Sequence, residues 1–231
     1  PVCRGRARVP AARHLAVRPH RPAAARRAVG LARTLGFGGG HLEEAALWHD
    51  VGYSGPLGRT GLHSLDGARH LASRGVPRLV VSLVAYHSGA EYEAEERGLV
   101  VDLADFERPP EHLLDALILA DMTVGPAGQT VTVDQRIAEI LIRYAPNHPV
   151  HRAVTRSQGY LRECAERAAR ATGSPEEWGF SAGAEGVFPK LAPGTFRAPL
   201  VFAGHGIQEP ALGTEIGHPT LRRLGPRGLQ G

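Results

Sequence analysis

Two stretches of this chain are apolar almost all the way round at helical length, yet each closes on a residue that is costly to bury. The first, PRLVVSLVAYHS over residues 77–88, runs out at His87; the second, EHLLDALILADM over 111–122, runs out at Asp121. A helix without a polar face has to be enclosed by other elements. The pattern therefore predicts a packed bundle in which these two helices are the most buried and their ends come together. At 231 residues there is enough chain for one domain with a sizeable core and tails on either side.

Helical periodicity recurs around the two buried runs. Pro22 suits a first turn, after which Ala25, Val29 and Ala32 share a face and Gly36 can close the helix. Further helices are expected over Leu42–Val51, Ser64–Arg74 with Gly75 as the stop, and Glu91–Arg97 as a short exposed one. Val133–Tyr144 carries Ile137, Ile140, Leu141 and Tyr144 at helical spacing, and residues 150–171 form a last, more polar helix. GYSGPLGRTG (52–61) and GPAGQT (125–130) are loops by their turn residues. The expected organisation is an irregular Arg- and Pro-rich arm over 1–19, an all-α compact multi-helix bundle over 20–172, and a Gly- and Pro-rich tail over 173–231. Within that tail, APLVFAG could be a strand but has no evident partner, and the whole tail is expected to be poorly ordered and dispensable.

The charge distribution separates arm from body. Residues 1–42 hold nine Arg and no acidic residue, which leaves 18 Lys plus Arg against 23 Asp plus Glu in the rest. A nucleic-acid groove needs clustered basic charge on a folded face; here the body is mildly acidic, and no nucleic-acid partner is expected. The arm has the acid-free, Arg-rich character of a targeting segment. It is also rich in Pro, poor in Ser and begins at Pro1, so a ragged or truncated start is the expected explanation. No apolar run reaches the ~18 residues of a membrane span, and two cysteines, Cys3 and Cys164, offer neither a disulfide framework nor a metal-binding spacing. A cytoplasmic protein is expected.

Chemistry concentrates at helix ends and in loops, where His20, His49, Asp50, His63, His87 and Asp121 recur. In AALWHDVGY (45–53) an apolar helical run ends on His49 and Asp50 side by side, both poor helix formers and both costly to bury unpaired. Imidazole and carboxylate together suit Zn²⁺, Mn²⁺ or Fe²⁺, and the lack of Cys at these positions argues against a structural zinc. Adjacent His and Asp can reach one ion where the backbone bends at a helix end.

In the order H…HD…D, here His20, His49-Asp50 in LWHDVGY and Asp121 in LILADMT, the chain resembles the HD-domain metal-dependent phosphohydrolases. The resemblance runs from about 20 to 155. It takes in TGLHSLDGA, AYHSGAEYEAEERGL and DALILADMTVGPAG, blocks similar to those of small bacterial HD proteins. It implies four ligands for a first metal: His20, His49, Asp50 and Asp121. RPAAA follows His20 where the family usually has aliphatic residues, and His14 is a competitor separated from the helix by Pro19.

His63 and His87 fall in the order in which some HD subfamilies hold a second ion, bridged by the Asp of the pair. They could equally be a loop His and a helix-terminal His favoured by the dipole, or groups that bind or protonate substrate phosphate. The resemblance implies one or two divalent ions (Mn, Zn, Fe or Mg) and a nucleotide or other small phosphate ester as substrate. Asp50 would orient the attacking water, and His63 or His87 would protonate the leaving group. The GYP signature of cyclic-dinucleotide phosphodiesterases is missing. Arg97, Arg69 and Arg59 are candidate phosphate contacts, although Arg97 with Glu93 and Arg69 with Asp66 are spaced like ordinary surface pairs. Two other readings of the same residues are an HD-fold di-iron oxygenase and a non-catalytic ligand-binding module.

Overall fold

The structure is a computed structural model in which residues 19–38 and 40–181 are described. Among these residues it is all-α: nine α-helices joined by turns, with one isolated antiparallel bridge between Val124 and Thr130. In order they are α1 (His20–Thr34), α2 (His41–Trp48), α3 (His63–Ser73), α4 (Arg78–Tyr86), α5 (Ala90–Arg97), α6 (Val100–Leu103), α7 (Glu111–Met122), α8 (Val133–Arg143) and α9 (Pro149–Ala171). Short 3₁₀ turns cover Val51–Tyr53, His87–Gly89 and Pro175–Trp178. No helix of the described residues is long and apolar enough to cross a membrane.

The two apolar runs do lie at the centre. In α7 every residue from Leu114 to Met122 is buried, and the helix packs against α1, α2, α4, α8 and α9. In α4 every residue from Val80 to Tyr86 is buried. Small side chains let their neighbours approach: Ala24 and Ala28 of α1 and Ala45 and Ala46 of α2 have no exposed surface, with Leu31 and Leu42 filling the space between. One polar tie crosses the core. Asp115 of α7 accepts from Arg167 of α9 through both carboxylate oxygens, at 2.8 Å each, the bidentate fork that suits guanidinium and carboxylate.

Several element ends differ from the sequence reading, and each difference has a local cause. α2 stops at Trp48 and does not run on to Val51, because Val51–Tyr53 turns tightly against the start of α3. A Cβ on Gly52 would lie 1.9 Å from the carbonyl oxygen of His63 and 2.8 Å from the amide nitrogen of Gly67, so only a bare backbone fits there. α5 is not simply exposed, since Glu93 and Ala94 are buried. α6, four residues long, is too short to show a period. Beyond Gly173 the chain still contributes to the fold: Trp178 and Phe180 pack against the core, and the Arg27 guanidinium lies 4.5 Å from the Trp178 ring centre. Packing against the core therefore continues past Gly173 as far as Phe180. The irregular arm to Arg18, most of the expected tail and the APLVFAG strand lie outside the described residues.

The contact at Gly52 makes a direct prediction. Gly52→Ala forces the turn carrying Asp50 away from the start of α3, which carries His63. Overpacking against backbone is expected to cost about 3 kcal/mol or more, read as a lowered urea midpoint. A native-like midpoint would show that the two segments can separate freely.

Candidate metal centre

Each of the six singled-out His and Asp residues sits where a helix begins or ends. His20 opens α1, His49 caps the C-terminus of α2, and Asp50 follows it into the 3₁₀ turn. His63 opens α3, His87 follows the last residue of α4, and Asp121 lies in the last turn of α7. Because α7 packs against α1, α2 and α4 while α3 is clamped to the turn after Asp50, all six side chains converge.

They form two groups that share Asp50. In the first, His20 Nε2 is 2.8 Å from Asp121 Oδ1 and 3.2 Å from His49 Nε2. His49 Nε2 is in turn 3.5 Å from Asp50 Oδ2 and 3.6 Å from Asp121 Oδ1. In the second, Asp50 Oδ1 is 3.7 Å from His63 Nε2, which is 3.1 Å from His87 Nε2. Ligand atoms of His20, His49 and Asp50 all lie within 4.8 Å of one another, as do those of Asp50, His63 and His87. Atoms sharing one ion at about 2.1 Å stand roughly 3 to 3.5 Å apart, as the His20–His49, His49–Asp50 and His63–His87 pairs do. The buried His and Asp groups could hold a metal ion.

The backbone sets the imidazole tautomers. Nδ1–H of His49 donates to the Ala46 carbonyl at 2.7 Å, that of His87 to Val84 at 2.7 Å, and that of His20 to Gly125 at 3.3 Å. A ring whose proton is held at Nδ1 presents a lone pair at Nε2. The Nε2 atoms of His20 and His49 then meet at 3.2 Å as two acceptors. Only a cation near both, a proton or a metal ion, relieves that contact.

The electrostatics agree with a cation-binding set. Burial pushes the Asp50 carboxyl up, but His49 and then His63 outweigh it and hold the group down at about 2. Asp121 is likewise held well below the usual carboxylate range against its burial, by His49 and then by His20. Burial, reinforced by His87, pushes His63 down to about 3, and burial with His49 lowers His87. For His20 burial acts downward too, yet the Asp121 carboxylate raises it overall. Two carboxylates thus favour their ionised form and two imidazoles their uncharged form, while the Asp121 carboxylate favours a proton on His20 that a bound ion would displace.

Residues not singled out from the sequence complete the surroundings. Ser88 donates its hydroxyl to Asp121 Oδ2 from a left-handed backbone conformation, φ 48° and ψ 38°, the one non-Gly residue with positive φ among those described. Such a conformation costs on the order of 1 kcal/mol. The Tyr53 ring stacks on His63 at 4.0 Å and 10°. Buried Arg21 donates from Nε to the Leu47 carbonyl at 2.9 Å, tying the start of α1 to the end of α2. Arg136 of α8 acts by its charge on both His20 and Asp121. Only the Ser-Gly dipeptide after His87 could have flagged any of these, as a turn signal.

The three candidate phosphate contacts fare differently. Arg97 donates to Glu93 at 2.8 Å with side chains only 13% and 11% exposed, so this pair is an inward one and not the ordinary surface pair its spacing suggests. Arg69 pairs with Asp102 of α6 at 2.5 Å, half-exposed, and not with Asp66. Asp66 instead accepts from the backbone amides of Arg59 and Thr60, at 2.9 and 3.0 Å, while the Arg59 residue itself is exposed.

Because Asp50 belongs to both groups, its removal should be decisive. Zn²⁺ or Mn²⁺ added to chelator-stripped protein is expected to raise the thermal midpoint, equivalent to about 4 kcal/mol when free ion exceeds its dissociation constant a thousandfold. Asp50→Ala should abolish that rise while leaving the helical circular dichroism in place; an undiminished rise would remove Asp50 from the site. No protein-family model, curated protein or solved structure matches the chain.

Proposed function

We propose that the chain is an HD-type, metal-dependent phosphohydrolase that cleaves a nucleotide or another small phosphate ester. The observation that supports this reading is the convergence of His20, His49, Asp50, Asp121, His63 and His87 into two donor groups joined by one carboxylate. Hard carboxylate oxygens with imidazole nitrogens suit Mn, Zn or Fe, and Mg less well. When bound, such an ion supplies Lewis-acid charge to phosphoryl oxygens and acidifies water.

The chain's own residues have separable roles in this proposal. His20, His49 and Asp121 hold the first ion. Asp50, with one oxygen toward His49 and the other toward His63, joins the two groups and orients the attacking water. His63 and His87 either hold a second ion or give a proton to the leaving alkoxide. Their suppressed protonation supports the ligand role, since an uncharged imidazole binds a metal and an imidazolium donates a proton. Tyr53, 40% exposed and stacked on His63, marks the side from which substrate would arrive.

Metal analysis of protein purified without added metal, with a parallel screen for phosphate release, tests the proposal. One or two Mn, Zn or Fe per chain with phosphate release is expected. A coloured protein that consumes oxygen without releasing phosphate would make it an HD-fold di-iron oxygenase instead, and a metal-free inert one a binding module. His87→Ala then separates the two roles of the second group. With two ions, stoichiometry should fall toward one and turnover should collapse. With one ion, stoichiometry stays at one and turnover falls on the order of 10²- to 10⁴-fold, less for substrates whose leaving group needs no proton. Unchanged metal and turnover in a folded variant would leave His87 as a helix-end histidine.

A further inference from the structure

A cationic side chain lies within electrostatic reach of His20 and Asp121, where a cation-binding set would not by itself place one. Arg136 lies one turn into α8, and its side chain is only 11% exposed. The start of α8 is anchored near the centre. A loop whose Val131 amide bonds back to the Thr123 carbonyl at 3.1 Å joins it to the end of α7, and Gly125 in that loop accepts from His20. A Thr132–Gln135 capping box then holds the first turn of α8.

The Arg136 guanidinium is incompletely used by the protein. One nitrogen, Nη1, is paired with Glu139 one turn further on, and Nε is buried without a hydrogen-bond partner. Glu139 is itself shared, since Arg143 donates to the same carboxylate from Nε at 2.8 Å. Buried donors are normally satisfied, so an orphan one calls for an explanation. The charge makes the question sharper. A fixed guanidinium near donors arranged for a cation repels that cation and weakens its binding. An anion lying between ion and guanidinium reverses the sign of the effect.

We propose that Arg136 is the phosphate-positioning residue of this centre, holding the non-bridging oxygens of a metal-bound phosphoryl group, with Glu139 as the internal carboxylate that occupies the guanidinium until substrate arrives. This rests on the phosphohydrolase reading above. Arginine is suited to the task because its planar fork matches two phosphate oxygens at once, which an ammonium does not. Sharing Glu139 between Arg136 and Arg143 leaves that carboxylate with a second cation when Arg136 turns to substrate.

Calorimetric titration of the Mn-loaded full chain with inorganic phosphate tests the assignment without requiring turnover. Native protein is expected to bind phosphate only when metal is present. Arg136→Met should weaken that binding about tenfold or more at unchanged metal content, and Arg136→Lys should fall between the two. Glu139→Gln, which leaves Arg136 in place and removes its competitor, should bind phosphate more tightly than native protein; a purely structural Arg136–Glu139 pair would give weaker binding in both variants. Native-like phosphate binding by Arg136→Met overturns the assignment alone, as does loss of metal in parallel with loss of phosphate. Native protein that loads metal and binds no phosphate overturns the phosphohydrolase reading together with it.

Discussion

The fold is arranged around a close buried contact: ring nitrogens of His20 and His49 at 3.2 Å, with the Asp121 carboxylate 2.8 Å from the first of them. Burying ionised groups costs several kcal/mol each unless they are paired and hydrogen-bonded. Here each carboxylate faces imidazole nitrogens, and three of the four imidazoles donate their other nitrogen to a backbone carbonyl. Those carbonyls belong to helix ends or to the loop after α7, where they lack intrahelical partners. The centre therefore has to lie where helices terminate. A cation held between the carboxylates and imidazoles would complete the balance.

The same helices serve packing and chemistry in different segments. α7 is buried along nearly its whole length, yet its two acidic residues have separate partners. Asp115 is neutralised by the fork of Arg167 and ties α9 to the core; Asp121, six residues on, belongs to the histidines. The apolar residues between them fill the core. Close backbone contact at Gly52 performs the complementary task, fixing Asp50 relative to His63 through main-chain atoms that no side chain could replace.

How much of this was legible in the sequence varies by residue. The all-α architecture follows from helical spacing in α8 and α9 and from the apolar runs of helical length that form α4 and α7. The four-residue α6 and the Trp178 turn are too short to show either, and neither was foreseen. His49, Asp50, His87 and Asp121 stood out because such residues at the ends of apolar helices are costly without a partner, and His20 and His63 through their place in the order of the resemblance. Ser88, Tyr53, Arg21 and Arg136 did not stand out. Each is an ordinary residue type whose significance depends on what lies across from it.

What the sequence determined by itself is local: which stretches are helical, which helices are buried all round, and which ionisable residues fall at their ends. Short-range periodicity and turn chemistry carry that information within a few residues. Only the tertiary structure decided that the six ends meet at one place, that Asp50 serves both donor groups, and that Arg97 is turned inward to Glu93 while Arg69 is turned to Asp102. It also decided that an incompletely paired guanidinium on α8 lies within electrostatic reach of His20 and Asp121. These are matters of distance between residues up to about a hundred positions apart in the chain, and such distances are set by how whole helices pack, which no local pattern encodes.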